Sequence, residues 1–205
     1  MKTDRGHSFG QGYRLSPIDR FGIWLSGYQF RRHVKDFSNK IVADIGCGYQ
    51  AGFGKSIFNK VAKIYLVDIT LEDSLKTHNK VIAKEGYLPD ILNTIPDSSI
   101  EIIICNSVLE HVWEPEQVIK EFFRILKPTQ GICMINVPSW RGKLFLEFSA
   151  FKLKLSPADE MEDHKNYYNP NELWKVIRKG GFHPSGIKCF THKFGLNVFG
   201  VCRKK

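Results

Sequence analysis

The sequence holds no apolar run long enough to cross a bilayer, which takes about 20 residues. Its first residues, Met1-Lys-Thr-Asp-Arg-Gly-His-Ser-Phe9, lack the apolar segment of a secretory leader. Both absences lead us to expect a cytoplasmic chain. No Cys-x-x-Cys pair occurs among Cys47, Cys105, Cys133, Cys189 and Cys202, and their number is odd. That argues against a disulfide framework and against a zinc knuckle. Three of the five sit inside apolar runs and read as small buried hydrophobes. No spacing of metal ligands is visible, so no metal is expected. Low-complexity tracts and internal repeats are absent as well. The 205 residues therefore suit one ordinary globular domain.

Acidic residues are the minority, 21 against 30 basic, for a net charge of +9. The imbalance is uneven: residues 1–40 carry +5, 41–139 carry −3 and 140–205 carry +7. Basic ends around an acidic middle suit an anionic partner or a solvated basic surface.

What the chain does contain is strands alternating with helices. Residues 1–16 are polar with three glycines and read as a flexible arm. Ser16-Pro17 opens a helix reaching Val34. Ile41–Ile45, Ile64–Asp68, Lys80–Lys84, Ile100–Cys105 and Ile132–Val137 read as buried strands. Helices are expected over Ser56–Ala62, Leu71–Asn79, from Glu114-Pro115 to Pro128, and over Asn169–Lys179. The runs Ile187–Phe190 and Asn197–Cys202 are joined by a short connection and should pair antiparallel. Strands apolar on both faces imply a mostly parallel sheet covered on both sides. Ligands of such sheets sit beyond the carboxyl ends of strands, where strand order reverses.

The segment Val42-Ala-Asp44-Ile-Gly46-Cys47-Gly48-Tyr-Gln-Ala51-Gly52 follows the first of these strands. Glycines there let the chain turn sharply and a ligand come close. Asp68 ends the second strand, where a carboxylate can accept from both hydroxyls of a ribose. Gly46-x-Gly48-x-x-Ala51 also satisfies the dinucleotide fingerprint. Asp44 discriminates. A carboxylate beside this turn would repel a pyrophosphate and attract a cationic, phosphate-free nucleoside.

Asp44-Ile-Gly46-Cys-Gly48 resembles the first motif of the class I methyltransferases, which use S-adenosyl-L-methionine (SAM). Asp68, Leu88–Cys105, Asn106–Val112 and Glu121–Gly131 resemble that family's later motifs in order. The resemblance is close over residues 40–140. It implies a doubly wound, Rossmann-like α/β sheet, mostly parallel with an antiparallel C-terminal strand, and SAM as cofactor. It also implies site residues. Asp44, Gly46, Cys47 and Gly48 would lie at the methionyl end and Asp68 at the ribose. Ile69 would lie against the adenine, Asp90 would accept from its amino group, and Asn106 would face the cofactor.

Residues 1–39 are expected to form an arm and helix, and 40–205 the methyltransferase domain, with a substrate lid at 138–168. Within that lid Leu144–Leu155 is apolar with interleaved lysines. His111, after the fourth strand, and His164, beside Asp163, are the base candidates. Pro138–Lys143 and His192–Asn197 resemble methyltransferases of surface-polysaccharide and glycolipid synthesis. That implies a small-molecule or glycan acceptor. A lipid-linked, anionic carrier would suit the basic ends and bring the chain to the inner face of the membrane. The alternatives are an RNA-directed methyltransferase, although no RNA-recognition motif is visible, and a nucleotide-dependent oxidoreductase, against which Asp44 argues.

Overall fold

A computed structural model describes residues 6–12, 17–143 and 165–205. After helix α1 (Pro17–His33) come β1 (Ile41–Ile45), α2 (Gly52–Lys55), β2 (Lys63–Asp68), α3 (Asp73–Lys76) and β3 (Val81–Glu85). Then follow β4 (Ile102–Asn106), α4 (Pro115–Ile125), β5 (Ile132–Pro138), α5 (Pro170–Lys179), β6 (Ile187–His192) and β7 (Asn197–Arg203). The seven strands form one sheet in the order β3-β2-β1-β4-β5-β7-β6. The first five are parallel, and β7 runs antiparallel to both β5 and β6. This is the expected mixed, mostly parallel architecture.

Alternate residues of each strand feed two separate cores, as the period of two requires. Ala43, Ile45, Ile103, Cys105, Cys133 and Ile135 pack with α4 and α5 through Val118, Phe122, Leu173 and Ile177. Val42, Ile64, Leu66, Ile102, Ile104 and Met134 pack on the other face with Phe30 of α1 and with Phe37. Strand order reverses at β1, whose neighbours are β2 and β4. The crevice beyond the ends of β1 and β4 is therefore the place for a ligand.

Local chemistry explains the best-defined helix. The Asn169 side chain accepts from the Asn171 and Glu172 amides, both at 2.9 Å, and Glu172 Oε2 accepts from the Asn169 amide at 2.7 Å. This reciprocal cap fixes where α5 begins. Asn169→Ala is expected to lower stability by about 1 kcal/mol, a drop of about 2–4 °C in melting temperature for a chain of this size. Differential scanning calorimetry checks it.

Some elements differ from the sequence reading. The helix expected over Ser56–Ala62 lies earlier, at Gly52–Lys55, followed by hydrogen-bonded turns to Val61. Gly54 is the reason: a Cβ there would stand 2.9 Å from Leu66 Cδ2 and 3.2 Å from Asp44 Oδ2. The glycine serves close packing of helix on sheet, not a loop. The helix expected over Leu71–Asn79 shortens to Asp73–Lys76, and beyond it the His78 ring lies on Phe58 at 4.7 Å. Ile100 makes only an isolated bridge to Leu126 before β4 begins. Residues 6–12, read as part of a flexible arm, are tied down. Ser8 Oγ donates to the Thr70 carbonyl at 2.7 Å, the Thr70 amide donates back at 2.8 Å, and the Tyr49 amide donates to the Phe9 carbonyl at 2.9 Å. Positive φ at Gly10 and Gly12 lets this segment turn.

Candidate active site

The glycine turn leaves β1 with φ of +67° at Gly46 and +76° at Gly48. The Gly46 amide donates to the Val67 carbonyl at 2.7 Å, which joins the turn to the end of β2. Asp68 braces it from there. Its Oδ2 accepts from the Gly48 amide at 2.7 Å and its Oδ1 from the Ile69 amide at 2.8 Å. Each oxygen keeps a further lone pair for a ligand.

A cleft of about 300 Å³ opens against this turn. Gly46, Asp68, Ile69, Leu88, Val108 and His111 are among its walls, and His7, Ser8 and Phe9 also line it. The N-terminal segment is thus part of the site, which the sequence reading missed. Its polar, glycine-rich composition carries no local signal for docking sixty residues away.

Asp44 sits behind the turn, 3% exposed, with Oδ2 lacking a partner among the described residues. Burial pushes its carboxyl up to about 7; the Gly54 amide opposes this and the Asp68 charge adds to it. A buried carboxylate with a spare oxygen is a site for a positive group.

The other expected site residues are placed as follows. Cys47 is half-buried, and burial, then the Asp44 and Asp68 charges, push its thiol well up, so it is no nucleophile. Asp90 is exposed and outside the cleft wall, which ends at Pro89. The 3-10 turn Asp90–Thr94 carries it outward. Asn106 turns its amide from the cleft to β5, where its Oδ1 accepts from Asn136 Nδ2 at 3.0 Å. His111 lines the cleft. His164, Asp163, Leu144–Leu155 and most of the expected lid lie outside the described residues. Among the described residues no group of three or more His, Cys, Asp or Glu could hold a metal, and no helix is long and apolar enough to cross a membrane.

The family model of a methyltransferase domain matches residues 43–135, the stretch from β1 to β5 that builds the cleft. Residues 43–135 thus match a methyltransferase domain, and the sheet has the fold of the class I methyltransferases. The domain is 23% identical over 190 residues to a protein of Mycolicibacterium smegmatis named "Probable S-adenosylmethionine-dependent methyltransferase", covering 85% of this chain and 67% of the relative. It is 22% identical over 187 residues to a ubiquinone biosynthesis O-methyltransferase of Rickettsia bellii, covering 88% and 75%. Against a similarly named relative of Mycobacterium tuberculosis the chain spans only 57% of the length. A solved SAM-dependent methyltransferase from Archaeoglobus fulgidus shares the fold, with a TM-score of 0.64 at 15% identity, covering 92% of this chain and 100% of that one. SAM, named for these relatives, is the cofactor against which the residues present can be tested.

The residues present fit that cofactor. Asp44 offers a buried, unpartnered carboxylate oxygen for a cation. At Gly46 a side chain is excluded, because a Cβ would stand 2.1 Å from Val108 Cγ2.

Proposed function

We propose that this chain methylates a hydroxyl oxygen of a small acceptor, with SAM held in the cleft between the glycine turn and Val108. The observation that carries the reading is the buried Asp44 carboxylate beside an open glycine turn. The methionyl end would lie along Gly46, Cys47 and Gly48 with its positive charge toward Asp44. The ribose hydroxyls would donate to Asp68, and Ile69 and Leu88 would flank the base. Neither Asp90 nor Asn106 is needed for these contacts. The name of the Rickettsia bellii relative supports oxygen as the acceptor atom.

When bound, SAM supplies a methyl group on a sulfonium: an acceptor lone pair forms the new C–O bond, the C–S pair stays on sulfur, and the hydroxyl proton departs. The chain's own contribution is alignment, which supplies roughly 7–11 kcal/mol in well-oriented reactions. His111, which lines the cleft, would take the proton. His7, Ser8 and Phe9 line the cleft, so their segment and α1 would belong to the methyltransferase domain.

A thermal-shift comparison tests this. SAM or S-adenosylhomocysteine at about 100 times its dissociation constant should stabilise the protein by about 2.7 kcal/mol. NAD⁺ and NADP⁺ at equal concentration should not, because Asp44 repels a pyrophosphate. Stabilisation by NAD(P)⁺ alone would restore the oxidoreductase alternative.

A further inference from the structure

Next to the cleft lies a polar cluster that the cofactor contacts do not use. β5 is buried along its whole length, yet carries Asn136 in its middle, 0% exposed. Ser26 and Gln29 stand three residues apart on the buried side of α1, at 1% and 9% exposed. His192, at the end of β6, is 8% exposed. Asn136 Nδ2 donates to Asn106 Oδ1 at 3.0 Å and to Ser26 Oγ at 3.4 Å. Ser26 Oγ donates in turn to the Gly22 carbonyl at 3.1 Å. Gln29 Nε2 meets His192 Nδ1 at 3.3 Å. Asn106 precedes Ser107 and Val108 of the cleft wall, so the cluster begins where the cleft ends.

Three buried atoms of this cluster have no partner among the described residues: Gln29 Oε1, Asn136 Oδ1 and His192 Nε2. Each such atom costs about 1–3 kcal/mol when left unsatisfied. Native interiors hold only a few per hundred residues. Three on neighbouring side chains indicate a place that something else completes.

The atoms define its chemistry. Two are amide oxygens, which only accept. With Gln29 Nε2 donating to Nδ1, His192 Nε2 carries the ring hydrogen; the nearby Leu25 carbonyl draws on it without closing a well-formed hydrogen bond. Two neighbouring hydroxyls supply a donor to each amide oxygen and an acceptor to the ring. A carboxylate or phosphate brings no donor to the two carbonyl dipoles. An ammonium would join Lys193, which follows His192 and already bears charge. Burial lowers the Lys193 amine to about 8, which still leaves it protonated at neutral pH. Burial, then the Lys193 charge, lowers His192 to about 4, against the Leu25 carbonyl, so its ring is neutral there. Phe199 stands edge-on to the His192 ring at 6.0 Å.

We propose that Gln29, Asn136 and His192 form the acceptor subsite of this methyltransferase domain, and that they select a neutral ring carrying neighbouring hydroxyls. The proposal rests on the reading of the cleft as a SAM site. Such hydroxyls belong either to a phenolic ring or to a sugar, and the test has an arm for each. Protein with ¹⁵N-labelled histidines is saturated with S-adenosylhomocysteine. It is then titrated with catechol, with methyl α-glucoside and with benzene while the imidazole resonances are followed. At least one hydroxylated probe should move the His192 Nε2 resonance in a saturable way, and benzene should not. The responding probe names the source. Gln29→Met keeps the side-chain length and removes one acceptor. It should weaken the responding probe about tenfold, the worth of one buried hydrogen bond, and leave the S-adenosylhomocysteine affinity unchanged. If neither hydroxylated probe moves His192 in cofactor-loaded wild-type protein, or Gln29→Met binds the probe equally well, the cluster holds only water and the proposal is overturned. A protein that fails to bind S-adenosylhomocysteine at all removes the underlying reading instead, and this one with it.

Discussion

Replacing Asp44 by asparagine is expected to weaken SAM binding at least about 100-fold, the worth of a buried charge pair, and to stabilise the ligand-free protein at pH 8. The two effects share one cause. Burial raises the folded-state pKa of Asp44 from 3.8 to about 7. Between those values the folded protein holds a proton that the unfolded chain has released. Stability is therefore lost as pH rises through that window, and the full cost is carried above it. Asparagine has nearly the same shape, keeps an oxygen for the Gly54 amide, and is never charged. It should recover on the order of 2 kcal/mol at pH 8 and nothing near pH 4, read as a melting temperature higher by several degrees in the first case only. A bound cation removes the same penalty, so wild-type affinity for SAM should climb from pH 5 to pH 7 and the variant's should not. Equal melting temperatures at pH 8, or SAM binding by the variant at wild-type strength, would refute the role given to Asp44.

Gly46→Ala is expected to damage both fold and cleft. Its φ of +67° lies where an L side chain is strained, at a cost of about 1–2 kcal/mol. Its Cβ would stand 2.1 Å from Val108 Cγ2 and 3.3 Å from Val108 Cβ and Cγ1. Overpacking of this kind adds about 1–3 kcal/mol. Together they predict a loss of roughly 10 °C in melting temperature. Because Val108 lines the cleft, its displacement should also abolish S-adenosylhomocysteine binding. Val108→Ala removes the Cγ atoms, so the double variant should regain part of the stability while keeping the backbone strain. Gly52 is the control: a Cβ there meets nothing within 4 Å and its φ is not positive, so Gly52→Ala should be neutral. A Gly46→Ala protein as stable as wild type would show that the turn has room the structure denies.

The sheet was legible from residues 40 to 140 because each strand is an apolar run bounded by turn signals, and because Asn169 and Pro115 punctuate their helices. The glycine turn and Asp68 were legible because a ligand's approach demands those residue types at the ends of adjacent strands. Other features depend on distant partners. The packing role of Gly54 was not legible because its sequence neighbours do not reveal Leu66 and Asp44 beside it. Ser8 and Phe9 looked like an arm because their bonds go to Thr70 and Tyr49. The bond that Asn106 accepts from Asn136, thirty residues on, has no local signal either. Ser26 and Gln29 left no trace, because α1 exposes Phe21, Trp24 and Tyr28 and so shows no apolar face from which its buried side could be read. Only the burial of Asn136 and His192 beside them gives these two residues a chemical meaning.

The central claim is that the cleft beside Gly46 holds a phosphate-free nucleoside whose ribose is gripped by Asp68. Isothermal calorimetry with S-adenosylhomocysteine tests it most directly, run on wild-type protein and on Asp68→Ala. The account predicts saturable heat with one molecule bound per chain, and loss of that heat in the variant. No heat from the wild type, or an Asp68→Ala protein that binds as tightly, would contradict it.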